Sequence, residues 1–323
     1  MTPHTSAAAK PSIHSTELLS KLQQHIEKVF VGKSSVVRHS LTTFLAGGHL
    51  LIEDVPGVGK TTLALSLAKA TGCSFQRIQL TSDLLPSDIV GISLLNPKTN
   101  DFEFRRGPLF HQVILADELN RATPRTQGAL LEAMNERQVT MDNATHPLPA
   151  PFFVIATQNP HEHHGTFPLP ESQLDRFMMR ISIGYPDAEH EKTILTIGAD
   201  IQAYTEEPPV LTAAEVLACM DAASRVTVAP VIDEYILSIV RKTREGGAIE
   251  VGVSPRGAIA LRKAAQAFAL LEGRAHVLPD DVKALAVPVL SHRLVLTSDH
   301  LSDLRSQAEH AITAIVEKTL VPL

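Results

Sequence analysis

Apolar positions recur along the chain with two different patterns. From Ser15 onward, Leu18, Leu19, Leu22, Ile26 and Val29 fall three to four residues apart, the spacing of one helix face, with Ser15 or Thr16 placed to cap it. A second helix is expected near Val36 to Ala46, ended by Gly47-Gly48. The pattern then shortens to short apolar runs: His49-Leu50-Leu51-Ile52-Glu53, Arg77 to Leu80, Val113 to Ala116, Phe152 to Ala156 and Arg180 to Ile183. These runs alternate mostly with helix-like segments, the first being Thr61 to Thr71, and such alternation predicts an α/β unit with a parallel sheet and helices on both faces.

After Tyr185-Pro186-Asp187 the strand signals largely stop. Helical spacing dominates over Ala188 to Ala199, Thr212 to Ala223, Ile232 to Glu245, Pro255 to Leu271, Asp280 to Leu290 and Ser302 to Lys318, with Pro208-Pro209 marking a rigid loop. The expected organisation is a disordered tail over 1–14, an αβα core over 15–188 and an all-helical domain over 189–323. The tail is assigned because its Ala, Pro, Ser, Thr and His residues show no apolar periodicity.

Composition narrows the classes. A chain of 323 residues at 44% hydrophobic and 20% charged can fold as one or two ordinary globular domains. The formal net charge of −6 supplies no global basic field, which disfavours nucleic acid as the partner. Cys73 and Cys219 lie far apart and outside any ligand-like spacing, so neither a disulfide framework nor a zinc site is expected, and a reducing cytoplasm fits. No segment reaches the roughly 18 apolar residues that span a bilayer, so membrane insertion is not expected.

The strongest chemical signal is Asp54-Val55-Pro56-Gly57-Val58-Gly59-Lys60-Thr61, between a predicted strand and a predicted helix. Gly57 and Gly59 let backbone N–H groups wrap a phosphate chain, and the following helix directs its positive end at it. Lys60 reaches the β and γ phosphates, while Thr61 offers its hydroxyl to Mg²⁺. The strict pattern has Gly where this chain has Asp54. Downstream, Val113 to Ala116 leads into Asp117-Glu118, two carboxylates at a strand end. In a nucleotide site, Asp117 would hold Mg²⁺ and Glu118 would polarise the attacking water. A third apolar strand, Phe152 to Ala156, runs into Thr157-Gln158-Asn159-Pro160, which puts Asn159 at the same sheet edge, placed to orient water against a γ-phosphate.

The order of P-loop, Asp-Glu pair and Asn resembles the AAA+ ATPases. Longer strings narrow the resemblance to the MoxR family: Gly47 to Thr61, Leu115 to Ala122, Leu130 to Glu136, Ala156 to Pro160, Leu169 to Phe177 and Ser254 to Gly257. Family members often carry Asp at position 54. The resemblance implies a P-loop NTPase core followed by a helical lid, binding ATP and Mg²⁺. It places Pro56, Val58 and Thr62 beside Gly57, Gly59, Lys60 and Thr61 at the nucleotide, and Val31 and Gly32 against the adenine. It assigns Thr61 and Asp117 to the metal, Glu118 to catalysis, Asn159 as sensor 1, Arg176 as the arginine finger acting on a neighbouring subunit, and Arg256 as sensor 2 on the lid. Arg180 is a second candidate for the trans-acting arginine.

Two hairpin inserts are expected, Ile92–Leu95 with Phe102–Arg105 and Val139–Met141 with Pro147–Pro151. In relatives such hairpins face a ring pore or a partner. His161, His163 and His164 are read as surface residues of a loop. The function implied by the resemblance is ATP hydrolysis in a hexameric ring that remodels, assembles or activates a client protein, alongside a partner bearing a von Willebrand factor A domain. A nucleic-acid-dependent motor and an ATP-gated scaffold with little turnover stand as alternatives.

Overall fold

The computed structural model describes residues 13–98, 100–142, 144–160, 165–197, 207–297 and 304–321. Helices α1 (Ile13–Glu27) and α2 (Ser34–Leu45) precede strand β1 (Leu50–Glu53), which leads through a loop into α3 (Lys60–Ala70). Strand β2 (Phe75–Gln79), the short helix α4 (Pro86–Val90) and a hairpin of β3 (Gly91–Asn96) and β4 (Asp101–Arg106) follow. Then come β5 (Val113–Asp117), α5 (Pro124–Glu136), a hairpin of β6 (Gln138–Met141) and β7 (Ala144–Pro147), β8 (Phe153–Gln158), the single turn α6 (Glu171–Leu174) and β9 (Met179–Ile181). Helix α7 (Ala188–Ile197) leads into the lid, made of α8 (Ala213–Ser224), α9 (Pro230–Lys242), α10 (Pro255–Leu271), α11 (Pro279–Leu290) and α12 (Leu304–Glu317).

Five strands pair in parallel in the order β2-β5-β8-β1-β9. The three central strands are apolar on both faces, as a covered parallel sheet requires. Val113 and Leu115 of β5, Phe153 and Ile155 of β8, and Leu50 and Ile52 of β1 join one core with α1, α2, α3 and the lid. Ile114, Ala116, Val154, Ala156 and Leu51 join the other, against Ile89 of α4 and Leu130, Leu131 and Met134 of α5. Each fully buried side chain of this size contributes roughly 1.5–3 kcal/mol through removal from water.

Several boundaries differ from the sequence expectation for identifiable reasons. Helix α1 begins at Ile13, inside the stretch assigned to the tail, and residues 1–12 lie outside the described residues. The second hairpin pairs β6 with Ala144–Pro147 rather than with 147–151, because Asp142 at φ 50° makes a tight turn that sets Met141 opposite Ala144. Strand β9 ends at Ile181, since the N–H groups of Ile183 and Gly184 go to a carboxylate instead of a ladder. The lid is helical and carries in addition a small ribbon, β10 (Ile249–Val251) against β11 (Val295–Leu296). Among the described residues, no helix is long and apolar enough to cross a membrane.

Besides their shared apolar core, lid and core are joined by a buried cation. Arg293, just after α11, is 6% exposed and donates to the Asp175 carboxylate at 2.7 Å and to the Phe177 carbonyl at 2.7 Å. An unpaired charge at that depth would cost several kcal/mol, so its partners on the approach to β9 fix where the lid sits.

His49 lies at the same, amino-terminal end of the sheet, where its carbonyl accepts the Met178 N–H at 2.8 Å. Val154 N–H donates to its Nδ1 at 3.0 Å, which leaves Nε2 to carry the proton and face the Met134 carbonyl at 3.1 Å. Burial pushes its pKa down to about 4, with the Met134 carbonyl opposing the shift and Arg137 adding to it. Between pH 6.5 and about 4 the unfolded chain therefore binds a proton that the folded chain refuses, so stability falls as the pH drops through that window. The expected loss from this group is on the order of 3 kcal/mol. Urea midpoints measured over the window should converge toward those of a His49→Gln variant as the pH falls; a difference independent of pH would contradict the neutral, buried assignment.

Candidate nucleotide site

The carboxyl ends of all five parallel strands open on one edge, where ligands of open α/β sheets bind. From β1, the loop through Gly57 (φ 86°) and Gly59 (φ 92°) takes left-handed turns that favour glycine. Gly59 caps α3 without a side-chain acceptor, so the first-turn amides of this eleven-residue helix are available to an anion. Lys60 Nζ lies 2.5 Å from the Asp54 carbonyl. Burial lowers the Lys60 pKa, opposed by the charges of Asp54, Asp117 and Glu118.

Across the cleft, Asp117 ends β5 and Glu118 follows it in a left-handed conformation at φ 58°. Thr157 on the neighbouring β8 holds both: its hydroxyl donates to Asp117 Oδ1 at 2.6 Å and accepts the Glu118 N–H at 2.9 Å. On the other side, Arg77 donates to Asp117 Oδ2 at 2.6 Å, and Gln79 Nε2 donates to Glu118 Oε2 at 2.8 Å. Arg121 stands 3.2 Å from the same Glu118 oxygen. Pro56, Gly57, Gly59, Lys60, Thr61, Arg77, Asp117, Glu118 and Asn159 line one cleft of about 390 Å³. The sequence reading missed Thr157, Arg77 and Gln79. Their signals were a hydroxyl inside an otherwise apolar strand and two polar residues at period two on an edge strand.

A second, more apolar pocket of about 440 Å³ meets this cleft at Gly57 and Gly59. Val29, Phe30, Val31, Val58, Thr62, Ile183, Tyr185, Pro186, Ile194 and Leu195 line it, a wall suited to a flat base. Gly32 lies behind Val31 at φ 82°, and a Cβ there would sit 2.6 Å from the ring of His190. That ring is held in turn by Asp187 at 2.6 Å. Phosphate cleft and base pocket together match the two ends of a nucleotide. The Thr61 hydroxyl and Asp117 carboxylate are hard oxygen donors, the kind that Mg²⁺ uses while keeping most of its water.

The arginines fall elsewhere. Arg176 lines a groove along α5 with Pro124, Arg125, Glu132, Asn135 and Glu136, apart from the phosphate cleft of its own chain. Arg256 opens α10 with its side chain 55% exposed, 3.9 Å from Asp175. It is not among the residues that line the phosphate cleft. Arg180 is buried, 3.4 Å from Glu53 and 3.4 Å from the Ser291 hydroxyl. Its burial in an ion pair within the chain removes it as a candidate for acting on a neighbour. His161, His163 and His164 lie outside the described residues, and among those residues no group of three His, Cys, Asp or Glu could hold a metal ion.

A P-loop between strand and helix, an Asp-Glu pair and an Asn on adjacent strands, and a helical lid define the AAA+ class of nucleotide-binding proteins. The family described as "ATPase family associated with various cellular activities (AAA)" matches residues 49–179, and the AAA lid domain matches residues 241–315. The chain is 47% identical to the protein YeaC of Bacillus subtilis, covering 95% of each chain. It is 38% identical to Chaperone MoxR1 of Mycobacterium tuberculosis, over 92% of this chain and 80% of that one. A crystal structure from Cytophaga hutchinsonii superposes with a TM-score of 0.87 at 36% identity, covering 97% of each chain. The chain belongs to the MoxR family of AAA+ ATPases.

Replacing Thr157 by Val keeps its shape and removes the hydroxyl shared by Asp117 and Glu118. Leaving the Glu118 N–H without its acceptor should destabilise the fold by about 1–3 kcal/mol. A chemical denaturation midpoint equal to that of the parent would show that the hydroxyl bridge carries no weight.

Proposed function

We propose that this chain hydrolyses ATP in a Mg²⁺-dependent manner within a hexameric ring and uses the resulting domain motion to remodel, assemble or activate a client protein. The observation that carries this reading is the convergence of Lys60, Thr61, Asp117, Glu118 and Asn159 on one cleft, while Arg176 lies on a separate face. A second copy docked with that face over the cleft would bring an arginine to the phosphates.

Lys60 and the first-turn amides of α3 would bind the β and γ phosphates and draw charge away from the bond that breaks. Thr61 and Asp117 would hold Mg²⁺, which when bound neutralises phosphate charge and fixes the geometry of the chain. Glu118 takes a proton from the attacking water, and Asn159 orients that water. Thr157 keeps Asp117 and Glu118 in their relative positions through its two hydrogen bonds. Arg176 of one protomer would reach the nucleotide of the next, so that completing the site requires the ring, and Arg256 would act as sensor 2 on the lid. Shared attachment of Arg256 and Arg293 to Asp175 supports a coupling of lid position to that contact. The chaperone designation of the mycobacterial relative supports client remodelling. A partner with a von Willebrand factor A domain is carried over from the family, and the formal charge of −6 favours a protein client over nucleic acid.

Lys60→Ala should abolish measurable nucleotide binding in calorimetry. Glu118→Gln should bind ATP as the parent does while turnover falls by about two or more orders of magnitude. Arg176→Ala should bind nucleotide normally and turn over slowly. Mixed with Lys60→Ala protomers it should regain activity, because the second variant supplies intact arginines to intact P-loops. Activity that stays at the sum of the two separate variants would remove Arg176 from its role across the interface.

A further inference from the structure

Asp54 stands where the P-loop pattern has its first glycine, and its surroundings account for the exchange. Among the described residues, the non-glycine positions with positive φ are Asn100, Glu118, Arg137 and Asp142, so the backbone at 54 makes no demand for glycine. The side chain is 8% exposed and fully engaged. Its Oδ2 accepts the N–H groups of Ile183 and Gly184, both at 2.7 Å, and lies 3.3 Å from the Ser182 hydroxyl. Its Oδ1 accepts the Val55 N–H at 2.8 Å. The Asp54 carbonyl receives Lys60 Nζ. Burial alone would push this carboxyl up, yet the donors from Gly184, Ile183, Val55 and Ser182 hold it below the usual carboxylate range.

These contacts join two regions that a nucleotide must bridge. Asp54 and Lys60 belong to the phosphate loop; Ile183, Gly184, Tyr185 and Pro186 form a wall of the base pocket. With glycine at 54, the Ile183 and Gly184 amides would lose their acceptor and the two regions would lose this direct tie. We propose that Asp54 is a positioning residue that fixes the distance between the phosphate loop and the base pocket, so that a ligand occupying both ends binds better than one occupying only the first. The proposal rests on the nucleotide-site reading. Its physical basis is pre-organisation: two subsites held at the separation that one ligand spans add their binding energies, whereas loosely tethered subsites spend part of that gain on ordering.

The test compares calorimetric affinities for Mg²⁺-ADP and for Mg²⁺-pyrophosphate, which has no base. Asp54→Gly restores the general P-loop pattern, and Asp54→Asn keeps the shape but turns an amide donor toward donors. In both, ADP binding should weaken by about tenfold or more while pyrophosphate binding stays within about twofold of the parent. Ser182→Ala, which removes the weakest of these donors together with its 3.0 Å bond to the Glu53 carbonyl at the root of the same loop, should lower the ADP-to-pyrophosphate preference by about twofold. Should the Asp54 variants fail to unfold cooperatively, the serine variant carries the test, and an unchanged preference there overturns the proposal. Equal losses for the two ligands would reduce Asp54 to a local prop of the phosphate loop, and no loss for either would deny it any role; each overturns the proposal while leaving the nucleotide site intact. A parent protein that binds neither ligand would instead sink the site reading, and this inference with it.

Discussion

Strands β1, β5 and β8 bury side chains on both faces of the sheet, so a polar group belonging to them has little room except at a strand end. Parallel pairing then puts those ends on one edge. Glu53 of β1 lies opposite Gln158 of β8, and Ala116 of β5 lies opposite Ala156, so the residues that follow each strand emerge side by side. The P-loop, the Asp117-Glu118 pair and Asn159 are neighbours for that reason, although more than a hundred residues separate the first from the last. Thr157 marks the depth at which polarity begins: it is buried, and its hydroxyl is satisfied entirely by the acidic pair on the next strand.

The same edge carries the links between core and lid. Glu53 accepts Arg180 from β9 and Arg305 from α12, and the next residue, Asp54, takes the amides that lead toward α7. Two consecutive carboxylates at the root of the phosphate loop are therefore tied to the last helix of the lid and to the wall of the base pocket. On a different face, Asp175 gathers Arg293 and Arg256 immediately beside Arg176. A shift of the lid would thus be felt at both places, through separate sets of charged contacts. That arrangement supports the proposed exchange of signals between a protomer's own cleft and the face offered to its neighbour.

Much of this is legible in the sequence alone. Continuous apolar runs ending in Asp-Glu or in Thr-Gln-Asn gave both the buried sheet and the polar edge, because a parallel strand covered on both sides has no other way to present chemistry. Local spacing was silent on partners chosen by tertiary structure. Arg176 and Arg180 are four residues apart in similar surroundings of sequence; only the pairing of β9 with β1 sends Arg180 to Glu53 and buries it. Arg77 and Gln79 looked like the polar face of a strand until β2 settled next to β5. Asp54 read as a blemish in a motif, since nothing near it in sequence reveals that two amides more than a hundred residues later need an acceptor. The return strand of the second hairpin is expected at 147–151, whereas the tight turn at Asp142 selects Ala144–Pro147 as the partner of β6.

One cleft, between the P-loop and the ends of β5 and β8, is proposed to receive the triphosphate. A crystal structure of the chain grown with Mg²⁺ and a non-hydrolysable ATP analogue tests it most directly. The γ-phosphate should lie within hydrogen-bond reach of Lys60 and Asn159, the metal between the Thr61 hydroxyl and Asp117, and the adenine against Val31. Density for the analogue in the groove beside Arg176, or with the phosphates turned away from Lys60, would contradict it.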